Sequence, residues 1–311
     1  MTILVVGGCG FIGRHVVNTF AHSGLRVLVY DTISDPINNT NYVNYVKGDF
    51  SDLSTLESAI VQYNVSRVIH LVSTTLPKSS NDDMKYDLTS NVVQTLDLLD
   101  LCVKHNVNKI LYMSSGGTVY GVPKSLPVSE IHPTDPTCSY GICKLTIEKY
   151  LALYKHLYGI KYVVLRAANP YGPGQDPLKG QGVIANYVHR MHRGLPLEVW
   201  GDGNIVRDYF HVSDLAAFTH RAILSEHCGI FNVGSGNGTS INELIDILSN
   251  ELNISPEIIY KKQRKLDVPA IVLDCTSAER TFNWRVSFNM QDGIADYVEW
   301  YRTEFNKETS C

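Results

Sequence analysis

A seven-residue run near the start of the chain, Gly7-Gly8-Cys9-Gly10-Phe11-Ile12-Gly13, constrains the fold more than any other feature. It follows an apolar, β-branched stretch, Thr2 to Val6, that is typical of a buried parallel strand. A helix-like stretch, Arg14 to His22, comes after it. Glycines so spaced allow a tight turn, close approach of the backbone to a pyrophosphate, and packing of helix on strand. The run therefore predicts a dinucleotide site whose contacts are Gly7, Gly10, Phe11, Ile12 and Gly13.

Two acidic residues end the next predicted strands. Asp31 follows the strand Arg26 to Tyr30, where a carboxylate can bond both ribose hydroxyls of an adenosine and would repel a 2′-phosphate. This favours NAD over NADP, although Asp31 could instead cap a turn or a helix. Asp49, followed by Phe50, could lie at the adenine edge of the cofactor. Equally, Asp49 could be the turn acid or N-cap before a helix predicted over residues 52–63.

A tyrosine and a lysine four residues apart open a helix predicted from Tyr140 to Tyr158. Residues four apart share a helix face, so Tyr140 and Lys144 can reach one pocket. A nearby ammonium favours phenolate and is expected to lower the tyrosine pKa from its ordinary value of about 10. Tyr140 is thus a candidate base for a substrate hydroxyl, in a reaction that passes a hydride to the dinucleotide.

A hydroxyl-rich segment, Ser114-Ser115-Gly116-Gly117-Thr118, ends the strand predicted from Lys109. Ligands of open parallel sheets bind at the carboxyl ends of the strands. Hydroxyls placed there can hydrogen-bond the oxygen whose proton Tyr140 removes. A plain turn is the alternative interpretation of the same residues.

Composition excludes several classes of protein. The 311-residue chain has a formal net charge of −4, and its one basic run, over residues 261–265, does not make a nucleic-acid footprint. Seven scattered cysteines, without CxxC pairs or a His/Cys ligand spacing, indicate reduced thiols of a cytosolic protein and no metal site. No apolar run approaches a membrane span, and the chain opens directly into its first strand, so we expect no signal peptide.

Alternation of strands and helices predicts an α/β fold, a doubly wound parallel sheet of the Rossmann type. A strand over 67–72, a helix from Asp87 to His105 and a strand over 161–166 continue the pattern. After Ala167 it loosens, apart from a helix over 183–192. We expect a cofactor domain over 1–166 and a smaller substrate lobe over 167–311, with an interleaved boundary.

The two long helices carry more apolar residues than one core face needs. In the helix from Asp87, one side is marked by Leu88, Val92, Leu96, Leu99 and Val103, while Leu98 and Leu101 lie off it. A subunit interface and plain burial in a large core both account for this surplus.

The chain resembles the extended short-chain dehydrogenases/reductases, and within them the sugar-nucleotide 4-epimerases typified by UDP-galactose 4-epimerase. The resemblance runs nearly end to end. Beyond the segments above, it rests on Gly48-Asp49, Asn91, Val119-Tyr120-Gly121, Leu165 to Pro173, Arg207 to Asp214, Asn232-Val233-Gly234 and Arg264 to Pro269. It implies roles for further residues. Ser114 and Asn91 would contact NAD, and Lys144 would hold the nicotinamide ribose. Asn169 would contact the phosphate region of the substrate and Arg207 its diphosphate, while Arg264 and Asp267 would hold the nucleoside. Each of these last four has a plain structural alternative, such as a turn, a local ion pair or a cap.

The chain departs from the family pattern at one catalytic position. The family's catalytic hydroxyl aligns with Gly116, so Ser115 or Thr118 would have to serve instead. Gly117 and Thr118 stand where sugar-nucleotide 4,6-dehydratases have an Asp-Glu pair, which argues against water elimination. Ile271 aligns with the family residue whose size limits the substituent that the sugar can carry at C2. An isoleucine at this position does not decide between sugars.

The resemblance implies reversible inversion at C4 of a UDP-hexose, which could be glucose/galactose or an N-acetyl or uronic analogue, through a 4-keto intermediate with NAD. It also implies a cytoplasmic homodimer in nucleotide-sugar metabolism, such as polysaccharide biosynthesis. A one-way 4-ketoreductase of a nucleotide-4-keto-6-deoxyhexose, using NAD(P)H, is the main alternative. A redox-sensing binding protein is a third, and the intact Tyr140–Lys144 pair argues against it.

Overall fold

The computed structural model describes residues 1–33, 40–262 and 268–305. Within them, the strands are β1 (Thr2–Val6), β2 (Arg26–Asp31), β3 (Val43–Lys47), β4 (Val65–His70), β5 (Lys109–Ser115), β6 (Lys161–Ala167), β7 (Asn169–Tyr171), β8 (Leu197–Trp200), β9 (Val206–His211), β10 (Gly229–Val233), β11 (Gly238–Ser240), β12 (Ile258–Lys261) and β13 (Ala270–Ile271). The helices are α1 (Phe11–His22), α2 (Leu53–Gln62), α3 (Met84–Asp87), α4 (Gln94–Lys104), α5 (Ser139–Tyr158), α6 (Val183–His192), α7 (Val212–Leu224), α8 (Ile241–Leu252), α9 (Thr276–Phe282) and α10 (Met290–Trp300).

Seven of the described strands form one parallel sheet in the order β10-β6-β5-β4-β1-β2-β3. Its central strands are buried because helices cover both faces, whereas the edge strand β3 is partly exposed. On one face, α1 and α7 pack through residues such as Phe20 and Phe218. On the other, α2, α4 and α5 contribute Leu56, Leu98 and Ile147 to a second core cluster. The predicted doubly wound parallel sheet is confirmed.

A second group of elements forms around a sheet in which β9 pairs with β7, β11 and β13. Helices α6, α8 and α10 pack into a third apolar cluster, and β8 pairs with β12 beside them. The chain beyond residue 166 also returns to the first sheet. Ile230 of β10 is aligned with Val164 of β6, and α7 packs on α1.

The long helix predicted from Asp87 to His105 is interrupted. A π-helical turn, Leu88–Val93, separates α3 from α4. This turn shifts the helical phase by about one residue, because each of its hydrogen bonds spans five residues instead of four. The surplus apolar residues are divided between core and surface. Leu98 and Leu101, which lie off the marked side, are buried, and so are Val92 and Leu99 of that side, whereas Leu88 is 47% exposed.

Within the described ranges, no helix combines the length and the apolar character needed to cross a bilayer.

Candidate active site

The glycine-rich turn joins β1 to α1 and leaves no room for side chains. Gly7 has φ +83°, in the left-handed region, and a Cβ at Gly13 would collide with the carbonyl oxygen of Gly7. Helix α1 therefore packs directly on the turn. Because Gly10 is its N-cap and carries no side chain, the first N–H groups, from Phe11 onward, can serve an anion.

Asp31 lies at the edge of this turn. Its Oδ2 accepts a hydrogen bond from the Cys9 backbone N–H (2.9 Å), and its Oδ1 accepts one from the Ile33 N–H (3.2 Å). The carboxylate thus closes a local turn beside the glycine-rich segment, which is the turn-capping alternative that the sequence offered.

Asp49 forms a turn with Ser51. Its Oδ1 accepts hydrogen bonds from the Ser51 N–H (2.9 Å) and hydroxyl (2.5 Å), and these bonds lower the pKa of the carboxyl. The N-cap of α2 is Asp52, which accepts from the Thr55 N–H. Phe50 is buried, with its ring centroid 5.0 Å from that of His70. The turn-forming interpretation of Asp49 is the one that the geometry displays.

Tyr140 and Lys144 lie on the first turns of α5, beside the carboxyl end of β5. Lys144 is buried; its Nζ donates a hydrogen bond to the Met113 carbonyl oxygen (2.9 Å) and lies 5.4 Å from the centroid of the Tyr140 ring. Burial lowers the pKa of Lys144 to about 8, and the fully buried carboxylate of Asp87 opposes that shift.

The pKa of Tyr140 is raised to about 12, with burial as the largest cause. The expectation that Lys144 lowers the pKa of Tyr140 below its ordinary value is therefore wrong. Desolvation of the phenolate outweighs the influence of the ammonium, and the charge of Asp87 adds to the increase. The nearby hydroxyls of Ser73 and Ser115 act in the opposite direction. The surroundings of Tyr140 thus favour the phenol over the phenolate.

The three hydroxyl residues at the end of β5 have different surroundings. Ser115 is close enough to Tyr140 for its hydroxyl to lower the pKa of the tyrosine, as noted above. Ser114 is buried and its Oγ donates to Glu148 Oε1 (2.5 Å). The Oγ1 of Thr118 is buried and, in the part of the chain that the structure describes, has no hydrogen-bond partner. The threonine Cβ lies against Gly141, next to the tyrosine.

Asn91 lies in the π-helical turn and is buried. Its Oδ1 accepts from the Thr74 N–H (3.1 Å), and its Nδ2 donates to Thr74 Oγ1 (2.7 Å) and Asp87 Oδ1 (2.9 Å). The predicted cofactor residue therefore fixes the loop after β4 to the π-helical turn.

Three predicted substrate residues, far apart in the sequence, meet on one sheet. Asn169 is on β7, Arg207 on β9 and Ile271 on β13; both outer strands pair with β9. Asn169 Nδ2 donates to the Asp208 carbonyl oxygen (3.0 Å), Arg207 Nη1 donates to the Val206 carbonyl oxygen (2.8 Å), and Ile271 is buried. Arg264 and Asp267 lie outside the described residues.

Sequence reasoning missed Ser73, which follows β4 and whose hydroxyl lies near enough to Tyr140 to lower the pKa of the tyrosine. The run Ser73-Thr74-Thr75 stands at the carboxyl end of a strand, which is the signal that could have identified it. The buried network around Arg166 was also missed. Its guanidinium bonds both Glu148 oxygens and the Tyr120 hydroxyl, and that hydroxyl donates to Asn232 Oδ1.

Comparison with known proteins assigns the chain to a family. The model of the NAD dependent epimerase/dehydratase family matches residues 3–234. A Methanocaldococcus jannaschii protein, named for a UDP-glucose 4-epimerase without being established as one, is 37% identical over 96% of this chain and 98% of its own length. The dTDP-4-dehydro-6-deoxyglucose reductase of Escherichia coli is 31% identical over 96% of each chain.

A solved structure gives the same result. The UDP-glucose 4-epimerase of Thermotoga maritima, solved with UDP-glucose, is 34% identical and has a TM-score of 0.94, covering 98% of this chain and 100% of its own. The chain belongs to the NAD-dependent epimerase/dehydratase family, and the family resemblance predicted from its sequence is confirmed.

Proposed function

We propose that this protein is an NAD-dependent 4-epimerase of a UDP-hexose, acting through a 4-keto intermediate. The observation that carries the proposal is the position of Tyr140, which lies beside Lys144 and near Ser115 at the carboxyl edge of a parallel sheet. Family membership and the two similar proteins named for UDP-glucose 4-epimerases support it.

The residues present fit NAD. The turn at Gly7 to Gly13 admits a pyrophosphate against the start of α1, where N–H groups and the helix dipole favour an anion. The Asp31 carboxylate suits ribose hydroxyls, and Lys144 would hold the second ribose. Reversible hydride transfer is the chemistry that NAD supplies when bound.

The chain's own residues would handle the proton and the orientation of the sugar. In its phenolate form, Tyr140 would take the proton of the 4-hydroxyl and later return it, so no net proton is released. Ser115 hydrogen-bonds the sugar oxygen, and Lys144 offsets the charge of the phenolate. We assign the role of the family hydroxyl to Ser115 because its hydroxyl lies near enough to Tyr140 to lower the pKa of the tyrosine, whereas Thr118 packs against Gly141.

The sheet around β9 would hold the rest of the substrate. A guanidinium fork suits a diphosphate, so Arg207 would bind there with Asn169 beside it. Arg264 and Asp267 would bind the nucleoside, and Ile271 would lie near the sugar. Residues 1–166 would thus bind the cofactor and residues 167–311 the substrate. Two elements of the second part, β10 and α7, pack in the cofactor domain.

We also propose a cytoplasmic homodimer that serves nucleotide-sugar metabolism, such as polysaccharide biosynthesis. Its support is an exposed apolar surface on α5 and the neighbouring π-helical turn. The exposed residues are Leu88, Val93, Ile142, Leu153, Leu157 and Tyr158, of which Leu157 is 56% exposed.

A 4-ketoreductase is the second candidate. The glycine at position 116 and the similarity to the Escherichia coli reductase favour it. It would use the same Tyr140 and Lys144 but would consume added NADH.

Product analysis distinguishes the two candidates. The purified protein would be incubated with UDP-glucose, UDP-N-acetylglucosamine and UDP-glucuronate, each without added cofactor, and the sugars separated by chromatography. We expect the 4-epimer of at least one at equilibrium. Tyr140→Phe should abolish this product, and Tyr158→Phe, on the same helix but exposed, should not. Stoichiometric NADH consumption with a dTDP-4-keto-6-deoxyhexose, and no epimer, would establish the reductase instead.

A further inference from the structure

A buried ion pair joins the helix that carries Tyr140 to the strand beside β5. Arg166 of β6 and Glu148 of α5 are both buried. Arg166 Nη2 donates to Glu148 Oε2 (2.6 Å), and Arg166 Nε lies 3.1 and 3.2 Å from the two carboxylate oxygens. Glu148 follows Lys144 by four residues, so the ion pair lies one helical turn beyond the Tyr140–Lys144 pair on the same helix.

This ion pair holds both ends of the chain between residues 114 and 120. At one end, Ser114 Oγ donates to Glu148 Oε1 (2.5 Å), and Ser114 is aligned with Arg166 where β5 pairs with β6. At the other end, the Tyr120 hydroxyl accepts from Arg166 Nη1 (2.9 Å), and the guanidinium carbon lies 4.8 Å from the centroid of the Tyr120 ring. Ser115 lies between these two ends. The residue assigned to the sugar oxygen is therefore carried by a segment that one ion pair fixes twice.

Tyr120 continues the hydrogen bonds towards the substrate lobe. Its hydroxyl donates to Asn232 Oδ1 (2.6 Å). Asn232 Nδ2 then donates to the carbonyl oxygens of Val128 (2.8 Å) and Asp274 (3.2 Å), and Asp274 follows β13, the strand of Ile271. The side chains of the network are all buried; they are Ser114, Tyr120, Glu148, Arg166 and Asn232. The catalytic segment is thus bonded to α5 on one side and to the chain after β13 on the other.

The physical properties of such a pair favour a role in geometry. A buried ion pair adds little net stability, because the desolvation of both charges offsets their attraction. A guanidinium does provide direction, since it presents its N–H groups in a rigid planar fork. Here that fork bonds Glu148 and Tyr120 at once. Reacting groups need such control, because a misplacement of about 1 Å can cost about a hundredfold in rate.

We propose that Arg166 and Glu148 are positioning residues of the reaction: their ion pair fixes residues 114–120 against α5 and so sets the distance between the Ser115 hydroxyl and Tyr140. This rests on the proposed function, in which Ser115 bonds the sugar oxygen and Tyr140 moves the proton. Because both charged side chains are buried, they act through the residues that they hold.

The mildest test is Tyr120→Phe, which removes the hydroxyl between Arg166 and Asn232 but keeps the ring and both charges. We expect kcat to fall about tenfold, the scale of one lost hydrogen bond to a charged group. KM for the nucleotide sugar should not change, because the sheet around β9 would hold the nucleotide. The control is Tyr187→Phe, at a buried tyrosine whose hydroxyl donates to the Glu198 carbonyl oxygen (3.0 Å). It should keep the native kcat and KM.

A stronger test is Glu148→Gln, which removes the charge and keeps the shape of the side chain. We expect kcat to fall about a hundredfold, again without a change in KM. The control is Lys109→Met, at a buried cation on the opposite end of β5 that donates to three carbonyl oxygens at and just after the end of α7. Both variants should have a lower Tm, but only Glu148→Gln should lower the kcat of the folded protein. An equal loss of kcat in Lys109→Met would show a general effect of instability instead of positioning.

A second readout does not depend on turnover. Amide hydrogen exchange of peptides covering residues 113–121 reports how firmly this segment is held. Exchange should be faster there in Tyr120→Phe and Glu148→Gln, and native in Tyr187→Phe. If the native protein epimerises no UDP-hexose and exchange is still faster in the first two variants, the proposed function fails while the holding role of the ion pair stands. Native exchange in these two variants, or a native kcat in both, would overturn the role of Arg166 and Glu148.

Discussion

The Cδ1 atom of Leu273 occupies the space into which a side chain at position 116 would project, 2.5 Å from where its Cβ would lie. Leu273 is buried, and its backbone N–H donates to the buried carboxylate of Asp208 (3.3 Å). That carboxylate also accepts from the N–H groups of Ser235 and Gly236. The missing family hydroxyl and this leucine are therefore two parts of one packing arrangement.

Restoring the family hydroxyl alone should be harmful. We expect Gly116→Ser to lower the free energy of unfolding by about 1–3 kcal/mol, since overpacking a close-packed site displaces its neighbours. Thermal unfolding would measure it. The double variant with Leu273→Ala should lose less than the two single changes added together. Gly117→Ser is the control, because the nearest atom to its new Cβ is 3.8 Å away. Equal losses at positions 116 and 117 would contradict the packing argument.

The buried ammonium of Lys144 should give a pH-dependent stability. Its pKa is lowered from 10.5 to about 8 by burial, so the unfolded chain binds this proton more tightly. The resulting destabilisation is full below pH 8 and disappears as the pH rises towards 10.5. Across this pH window, we expect the free energy of unfolding of the native protein to rise by about 3 kcal/mol relative to that of Lys144→Met. Denaturant unfolding at several pH values measures this difference.

The control for that experiment is Lys149→Met, at an exposed lysine of the same helix. The difference in free energy of unfolding between Lys149→Met and the native protein should not change with pH. If the difference for Lys144→Met were also independent of pH, burial would not destabilise the Lys144 ammonium.

Replacing Asp31 should change which cofactor is retained. Without the carboxylate, the ribose loses a hydrogen-bond acceptor and a 2′-phosphate is no longer repelled. We expect Asp31→Ala to weaken NAD binding by about tenfold, which is the scale of one hydrogen bond to a charged group. The variant should also have a smaller preference for NAD over NADP. Calorimetric titration with both nucleotides measures this. Asp49→Ala, at an acid bonded to Ser51, should keep the native preference. If Asp49→Ala lost the preference for NAD over NADP and Asp31→Ala kept it, the carboxylate that binds the ribose would be that of Asp49.

A charge on the exposed surface of α5 should separate the proposed dimer. Leu157→Glu places a carboxylate that must be desolvated if this surface is covered. We expect light scattering to report a monomer for this variant and a dimer for the native protein. Leu195→Glu, at a leucine of similar exposure elsewhere (45%), should remain dimeric. A native monomer would exclude the homodimer.

The local elements could be predicted because their signals are local. Alternating apolar strands, the glycine turn and the Tyr140–Lys144 spacing led to the doubly wound sheet, and the structure has these elements at nearly the predicted bounds. The interruption of the helix from Asp87 could not be predicted, because the π-helical turn depends on bonds that Asn91 and Asp87 accept from a distant loop.

By itself, the sequence determined the class of fold, the order of its elements and the residue types of the cofactor and catalytic motifs. Only the tertiary structure decided which hydroxyls lie near Tyr140, since Ser73 follows β4, Ser115 ends β5, and the two strands are brought together by pairing. It also decided the direction of the Tyr140 pKa. Burial is a property of the packed molecule, and its cost to a phenolate exceeds the effect of a lysine one helical turn away.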